Sequence, residues 1–432
     1  TLANFTSGAR VYQDGNYNTA VGYNSLSENT TGAGNAAFGN ALTQLTTGES
    51  NIALGDGALG QITTTSNNVA VGRSAMFYRT GGEMNTAVGN FALNGCNNAC
   101  GNNTGSYNDA FGYQALTLNT TGTQNSGFGM WSLSSNTTGS ENTAIGHRTL
   151  ANNTTGTGNV GVGFYTAYTN STGNYNTSLG WKSLYSNTGS YNVAVGRNSL
   201  YDNTSGGFNT AIGTSSAQNV TTGNYNFAGG YTTLGECTTC DNTTAIGHNA
   251  LGQVTTADNN TAFGYEAATS NTSATGTVAV GYRALRNVTT GNSNVAMGSD
   301  ALFTTTTGSS NTAIGHQSLT SNTTGSLNVG IGAFSLDNNT SGELNTGIGG
   351  YALNNNTTGT NNVAIGYSAL NANTTGTHNI SIGNSSSYGS NGDYNIGIGQ
   401  YSLQNTSTSD NNIGIGYKAG QSSTQGNIIF KC

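Results

Sequence analysis

Apolar and polar positions repeat along this chain with a period close to 17 residues. Residues 142–156 read NTAIGHRTLANNTTG, a short β-branched and alternating run that ends at glycine and is followed by a leucine and a polar stretch. Related segments begin 17 residues before and 17 residues after this one, at Asn125 and Asn159. Regular repetition of one short unit is typical of a solenoid, in which stacked repeats bury a continuous core.

Alignment on the first asparagine of this unit, hereafter the registry position, gives 24 repeats. The registry residue is Asn in 22 of them, and Thr243 and Thr277 are the exceptions. Two positions on, the residue is always Ala, Gly or Ser; three on, it is large and apolar in 23 repeats; four on, it is always Gly. Leu stands eight positions on in 17 repeats, which completes the apolar pattern of the unit.

These columns predict strands and turns rather than helices. Alternating β-branched residues such as Thr143-Ala144-Ile145 favour a short strand, and a second short strand is expected to carry the leucine. The run Asn-Asn-Thr-Thr-Gly has turn chemistry. The expected fold class is all-β, a single parallel β-solenoid of about 24 coils of 17 residues. The expected segments are an N-terminal cap or linker (1–17), the solenoid (18–425) and a partial terminal repeat (426–432).

The same columns predict which side chains face the core. We expect the isoleucine and valine row to be hidden inside the solenoid and the registry asparagines to stack as a ladder of side-chain amides; the alternative is that Asn merely suits a turn. The row of Ala, Gly and Ser alternates with the apolar row, so it should face the other side of the strand. Its small size indicates a backbone packed against it, from the opposite wall of the coil or, the favoured reading, from a neighbouring subunit.

Composition narrows the classes of partner. Charged residues make up 6% of the chain, the net charge is −7, and there are 66 glycines and no proline. No basic stripe suits nucleic acid, and no apolar run approaches the roughly 20 residues of a membrane helix. The missing proline is consistent with a continuous backbone ladder, because proline lacks the required donor.

The polar turns carry many Asn-X-Ser/Thr sequences, the acceptor pattern for N-glycosylation. These asparagines are either glycosylation sites that form a row on the outer surface or ordinary turn formers. Thr-rich turns could instead carry O-linked sugars. The candidates eleven positions after the registry residue are Asn29, Asn119, Asn136, Asn153, Asn170, Asn203, Asn271, Asn322, Asn339, Asn356 and Asn373.

Aromatic residues recur in two further columns, one before the registry position and one after the invariant glycine, as at Tyr175 and Trp181. Such rings could stack on sugars, fill subunit interfaces or simply suit strand edges.

Five cysteines are grouped as two close pairs and one single residue. Cys96 and Cys100 lie in the one long insertion, and Cys237 and Cys240 lie in a turn. A lone Cys-X-X-Cys is weak support for zinc or redox chemistry, so we expect two local disulfides, an oxidising extracellular setting, and no metal or cofactor. Cys432 is left for a neighbouring subunit or for a segment beyond this sequence.

The motifs NTAIG, NVAVG and NVAIGYSAL resemble the head repeats of YadA-like trimeric autotransporter adhesins, which also occur in tail-fibre-like proteins. The resemblance covers the chain from about Asn18 to Gly416. It implies a left-handed parallel β-roll, three chains side by side, an extracellular fibre and adhesion. The repeats of that family are usually nearer 14 residues, and this sequence shows no coiled-coil stalk or barrel anchor.

The leading functional hypothesis is therefore a structural extracellular fibre or adhesin shaft at the cell surface, homo-oligomeric and glycosylated. Copies of itself, as a homotrimer or filament, and host-surface or environmental glycans are the expected partners. The alternatives are a receptor-binding tail fibre of a phage or virus and an ice-binding solenoid. An enzyme is not expected, because the four histidines do not cluster with carboxylates or nucleophiles in the sequence.

Overall fold

A computed structural model describes residues 10–13, 16–97, 102–422 and 428–431 of the chain. The chain divides into two compact units, Thr1–Ser215 and Ser216–Cys432. The described residues of both units form strands and turns, with no helix among them. Together the units contain about 24 coils of about 17 residues, which confirms the predicted parallel β-solenoid.

Each unit is a succession of very short strands. In the first unit they are β1 (Arg10–Gln13), β2 (Thr19–Gly22), β3 (Ala36–Phe38), β4 (Ile52–Leu54), β5 (Val69–Val71), β6 (Thr86–Val88), β7 (Asp109–Phe111), β8 (Ser126–Phe128), β9 (Thr143–Ile145), β10 (Val160–Val162), β11 (Thr177–Leu179), β12 (Val193–Val195) and β13 (Thr210–Ile212). In the second they are β14 (Phe227–Gly229), β15 (Thr244–Ile246), β16 (Thr261–Phe263), β17 (Val278–Val280), β18 (Val295–Met297), β19 (Thr312–Ile314), β20 (Val329–Ile331), β21 (Thr346–Ile348), β22 (Val363–Ile365), β23 (Ile380–Ile382), β24 (Ile396–Ile398), β25 (Ile413–Ile415) and β26 (Ile428–Phe430).

Equivalent strands of successive coils pair in parallel and in register. Thr143 of β9 is the partner of Val160 of β10, and Ala144 is the partner of Gly161. The strand β1 differs, because it pairs with β2 in the antiparallel direction. Strand pairing with a one-coil offset therefore places identical columns of the repeat directly above one another.

The second strand predicted in each coil is wrong. The segment that carries the leucine is a turn, in which Arg148 has φ 54° and Leu150 has φ 50°. The left-handed conformation is unusual for residues other than glycine. It recurs because Leu150 is fully buried and its backbone N–H donates to Thr166 O of the next coil (3.0 Å). Burial and the inter-coil bond offset the local conformational cost.

The prediction that the isoleucine and valine row is buried is also wrong. The row of small residues lies inside the coil, and the row of large apolar residues lies outside it. Ala144 is fully buried, whereas Ile145 is 44% exposed. The small row faces the interior of the solenoid, not a neighbouring subunit: a Cβ added to Gly161 would lie 2.6 Å from Thr149 Cγ2 and 3.4 Å from Leu150 Cδ1 of the preceding coil. The interior is too narrow for two large rows, so leucine fills it and isoleucine and valine lie outside.

The invariant glycine is required by the backbone geometry of the coil. Gly129 has φ +135°, and a Cβ added there would lie 2.5 Å from Gly146 O of the next coil. Side chains other than hydrogen are excluded both by the backbone conformation and by the close stacking of successive coils. This position thus allows the strand to end and the chain to turn without widening the coil.

Candidate functional site

The registry asparagines form a buried ladder, as predicted. Asn142 donates from Nδ2 to Asn125 Oδ1 (3.1 Å) and to Gly156 O (2.8 Å). Its own Oδ1 accepts the backbone N–H of Asn159 (2.9 Å) and the Nδ2 of the same residue (3.1 Å). Each amide therefore joins three consecutive coils and holds the turn of its own coil against the strand.

A second ladder, which the sequence analysis did not predict, runs through the asparagines considered as glycosylation sites. Asn153 is fully buried and donates from Nδ2 to Asn136 Oδ1 (2.7 Å) and to Gly156 O (3.0 Å). Asn187, which lacks the glycosylation pattern, occupies the same ladder and accepts a bond from Asn203 Nδ2 (2.6 Å). Asparagine thus has a structural role here that is independent of the acceptor pattern, because the ladder extends beyond the acceptor sequences.

Burial changes the interpretation of the glycosylation candidates. A glycan is attached through Nδ2, and this atom is enclosed and hydrogen-bonded in the folded coils. The folded structure therefore disagrees with glycosylation at the fully buried positions, which are Asn119, Asn136, Asn153, Asn170, Asn203, Asn271, Asn322, Asn339, Asn356 and Asn373. Asn29 is partly exposed, and its Nδ2 donates to Gly32 O (3.1 Å).

In two coils the ladder position is valine, and the acceptor asparagine stands one residue earlier in the turn. Val220 and Val288 fill the buried ladder position, and the preceding Asn219 and Asn287 are partly exposed. A sugar at these two positions would not disturb the ladder. The sequence contains a signal that distinguishes the exposed from the buried acceptors. Asn219 and Asn287 lie four residues before the turn glycine, whereas a buried acceptor such as Asn153 lies three residues before it.

An arginine replaces asparagine at the ladder position of one coil. Arg79 is 1% exposed and donates to Asn119 O (3.3 Å) and, through a short contact, to Gly105 O. Burial lowers the pKa of the Arg79 guanidinium from its ordinary value to about 10. Asn103 lies beside the insertion and donates from Nδ2 to Tyr78 O (2.7 Å) and Cys96 O (2.8 Å). Long polar side chains thus satisfy the carbonyls where the repeat is irregular.

The structure contains a Cys237–Cys240 disulfide, as expected, and its two cysteines are fully buried. Cys96 is also in a disulfide, while its expected partner Cys100 and the single Cys432 lie outside the described residues. The Cys237–Cys240 disulfide therefore fastens one turn of the second unit.

The exposed side of the strands is a repetitive apolar surface, here called the strand face. It consists of the outward residues at registry positions −1, +1, +3 and +5, where −1 and +5 are often aromatic. Tyr175 and Tyr191 stack with ring centroids 5.4 Å apart, and His248 and Tyr265 stack at 5.0 Å. Aromatic rings of successive coils thus pack on one another along both margins of this face.

Another surface, here called the cationic aromatic strip, crosses the coils that follow β8 to β12. It contains Trp131, Arg148, Tyr165 and Lys182 at registry position +6, and Tyr168, Tyr185 and Tyr201 at +9. The Arg148 guanidinium carbon lies 4.5 Å from the ring centroid of Trp131, and Lys182 Nζ lies 5.3 Å from that of Tyr185. Desolvation and the nearby Tyr201 raise the pKa of the Tyr185 hydroxyl.

A third surface is an uncharged groove in the second unit. Its volume is about 510 Å³, and its walls are Ser321, Asn338, Thr340, Asn355, Thr357, Ala372 and Thr374. Thr340 Oγ1 donates to Thr357 O (3.0 Å), so the threonine methyl groups are held in a fixed row. The groove contains no ionisable side chain among these residues.

Within the described part of the chain, no group of three or more His, Cys, Asp or Glu side chains is placed to hold a metal ion. The same residues form no apolar helix that is long enough to cross a membrane. Comparison of the chain with models of protein families, with curated proteins and with solved structures gave no match.

Proposed function

We propose that this protein is a structural extracellular fibre or adhesin shaft that assembles from several copies of itself and has no catalytic role. One observation carries the proposal: the strand face exposes large apolar side chains in nearly every coil. Contiguous exposed apolar patches of this kind usually mark interaction sites. The oligomer contact thus moves from the small-residue row, where the sequence analysis placed it, to the isoleucine and valine row.

The dimensions of the strand face support a stable contact. Four outward positions span about 20 Å along the strand, and coils repeat at about 4.8 Å, so each coil offers on the order of 100 Å². About eight coils would supply the roughly 800 Å² per partner of a standard interface. Each unit has twelve registry strands, β2–β13 or β14–β25. Either unit alone is large enough to associate, and three chains is the number that the family resemblance implies.

Charge substitutions test this assembly. The triple variant Ile145→Lys, Val162→Lys, Leu179→Lys places three cations on the strand face and should shift the sedimentation mass from a multiple of the chain mass to one chain. A matched control places the same three charges on exposed turn residues, as Thr138→Lys, Thr155→Lys and Thr172→Lys. A wild-type chain that sediments as a monomer, or two triple variants that behave alike, would refute self-association through this face.

An ice-binding solenoid is the second candidate, and a different detail of the strand face favours it. Threonine occupies registry position +1 in nine coils, among them Thr143 and Thr177, and these residues are partly or fully exposed. Hydroxyl and methyl groups repeated on a flat surface can order water, but here only Thr244 and Thr261 lie in consecutive coils. Thermal hysteresis of the purified chain is the deciding measurement, and its absence at high protein concentration would eliminate this candidate.

The strand face alone does not distinguish a cell-surface fibre from a receptor-binding fibre of a phage or virus, because both need a stiff oligomeric shaft. Electron microscopy of native material, with antibody against this chain, should show label on cells for the first and label on virions for the second. Extracellular placement is supported by the Cys237–Cys240 disulfide, since structural disulfides persist in oxidising compartments.

A further inference from the structure

The cationic aromatic strip carries charges that the protein itself does not neutralise. Among the described residues two ion pairs are formed, Arg283–Asp300 and Arg286–Glu266, and both lie in the second unit. Arg148 and Lys182 instead lie over the rings of Trp131, Tyr165 and Tyr185. Charged residues are 6% of the sequence, and Arg148 and Lys182 lie over aromatic faces within one strip of the surface.

An open cleft lies beside these cations. Its volume is about 180 Å³, and it is lined by Trp131, Ser134, Arg148, Ala151, Asn152 and Tyr168. The lining thus combines two aromatic side chains, a guanidinium, a hydroxyl and a carboxamide. Ligand sites commonly pair aromatic surface with a few convergent polar groups in this manner.

The geometry holds the cleft in a defined shape. Arg148 Nη1 donates to Tyr165 Oη (3.0 Å), and Trp131 Nε1 donates to Gln114 Oε1 (2.5 Å). Tyr165 and Tyr168 have ring centroids 5.0 Å apart, and Tyr168 stacks on Tyr185 at 5.4 Å. The rings and the guanidinium are therefore positioned before a ligand arrives, which reduces the entropic cost of binding.

We infer that this strip binds an acidic polysaccharide, with its sugar rings on Trp131 and the tyrosines and its carboxylates on Arg148 and Lys182. A pyranose has an apolar face of C–H groups that fits an aromatic ring, and a rim of hydroxyls that fits Asn152 and Ser134. Guanidinium binds carboxylate through two parallel hydrogen bonds. The inference goes beyond the fibre function, because it requires neither self-association nor the strand face.

The spacing of the coils matches a polymer rather than a single sugar. Arg148 and Lys182 belong to coils two apart, so they are separated by about 10 Å along the stack. Tyr168, Tyr185 and Tyr201 occupy three consecutive coils, and Tyr185 and Tyr201 stack at 5.1 Å with an interplanar angle of 6°. A chain of acidic sugars laid along the strip would meet an aromatic ring at each coil and a cation at every second one.

Single-stranded nucleic acid also combines stacking rings with negative charge. The net charge of −7 opposes its approach, since nucleic-acid binding depends on a surplus of cations. Acidic sugar is therefore the better match, and nucleic acid becomes an outcome of the test.

The two tryptophans of the chain, Trp131 and Trp181, both adjoin Arg148 or Lys182, so intrinsic fluorescence reports binding in the full-length protein. The probe is hexagalacturonate, titrated at low salt beside its methyl ester and a single-stranded oligothymidylate. We expect saturable binding of the acid that weakens as salt rises, and at least tenfold weaker binding of the neutral ester.

Variants locate the site. Arg148→Gln should weaken hexagalacturonate binding roughly tenfold or more, the usual loss for one charge-assisted contact. The matched control is Arg73→Gln, because Arg73 lies over the Phe91 ring (5.6 Å) outside the strip; this variant should bind like the wild type. Equal affinity of both variants, equal binding of acid and ester, or no binding at all would overturn the inference, and so would tighter binding of the oligothymidylate. Circular dichroism of each variant confirms that the coils remain folded.

Discussion

Removing one registry amide should loosen the solenoid locally and strongly. Asn142→Ala eliminates four hydrogen bonds, two donated by Asn142 Nδ2 and two accepted by its Oδ1. Gly156 O keeps a bond from Asn153, but the buried backbone N–H of Asn159 loses the acceptor at 2.9 Å. An orphaned buried donor costs about 1–3 kcal/mol and each other lost bond about 1 kcal/mol, so the expected destabilisation is on the order of 4 kcal/mol.

In a repeat protein this loss is expected to stay near its origin, because each coil contacts mainly its neighbours. Hydrogen–deuterium exchange with peptide-level mass spectrometry is therefore the assay. A loss of about 4 kcal/mol corresponds to roughly a thousandfold faster opening, and it should appear in the amides of β8, β9 and β10. Amides near β3 should exchange as they do in the wild type.

Two further variants calibrate the experiment. Asn142→Thr keeps part of the ladder, because Thr277 in the natural chain donates from Oγ1 to Asn260 Oδ1 (2.7 Å); about half the destabilisation is expected. Thr155→Ala changes an exposed turn residue and should have no measurable effect. Exchange in Asn142→Ala no faster than in Thr155→Ala would refute the claim that the ladder holds the coils together.

Three other outcomes follow from the burial of polar groups. Asn153→Val should lower the free energy of unfolding, measured in urea, by about 1–2 kcal/mol more than Asn203→Val. The reason is that Asn153 Oδ1 accepts a bond from Asn170 Nδ2, whereas Asn203 Oδ1 has no partner to lose. Equal losses would contradict the second ladder. Burial raises the pKa of the Asp337 carboxyl above its value in the unfolded chain. The contribution of Asp337 to stability is therefore complete below the unfolded pKa and is lost as pH rises through the folded pKa. Asp337→Asn should raise the melting temperature at pH 7 but not at pH 3, and an unchanged melting temperature at pH 7 would contradict this expectation. In a glycosylating host, glycopeptide mapping should find sugar at partly exposed sequences such as Asn219 and Asn287, and high occupancy at buried Asn153 would refute this assignment.

The period of 17 residues was sufficient to predict parallel stacking, since equivalent columns can be superimposed only by pairing each strand with the next. The invariant glycine and the registry Asn were also readable from the sequence. Gly129 needs φ +135°, a conformation that only glycine adopts readily, and Asn142 needs both a donor and an acceptor. For these columns glycine in every repeat, and asparagine in all but the repeats of Thr243 and Thr277, satisfies a local requirement.

The sequence did not reveal which row of each strand lies inside. Alternation shows that Ala144 and Ile145 face opposite sides, yet it leaves open which side is the core. Hydrophobicity favoured the isoleucine, but the coil is too narrow for it. Only the position of the opposite wall, where Leu150 fills the interior, decided that the small residue is buried.

The sequence by itself therefore determined the repeat, the strand direction and the positions that need glycine or an amide. The tertiary structure decided which face is buried, that the Asn-Thr-Thr-Gly turns hold a second amide ladder, and that Trp131, Arg148 and Tyr168 meet at one cleft. The physical reason is that backbone requirements act within one coil, whereas burial and side-chain contacts depend on the width of the coil and on its neighbours in the stack.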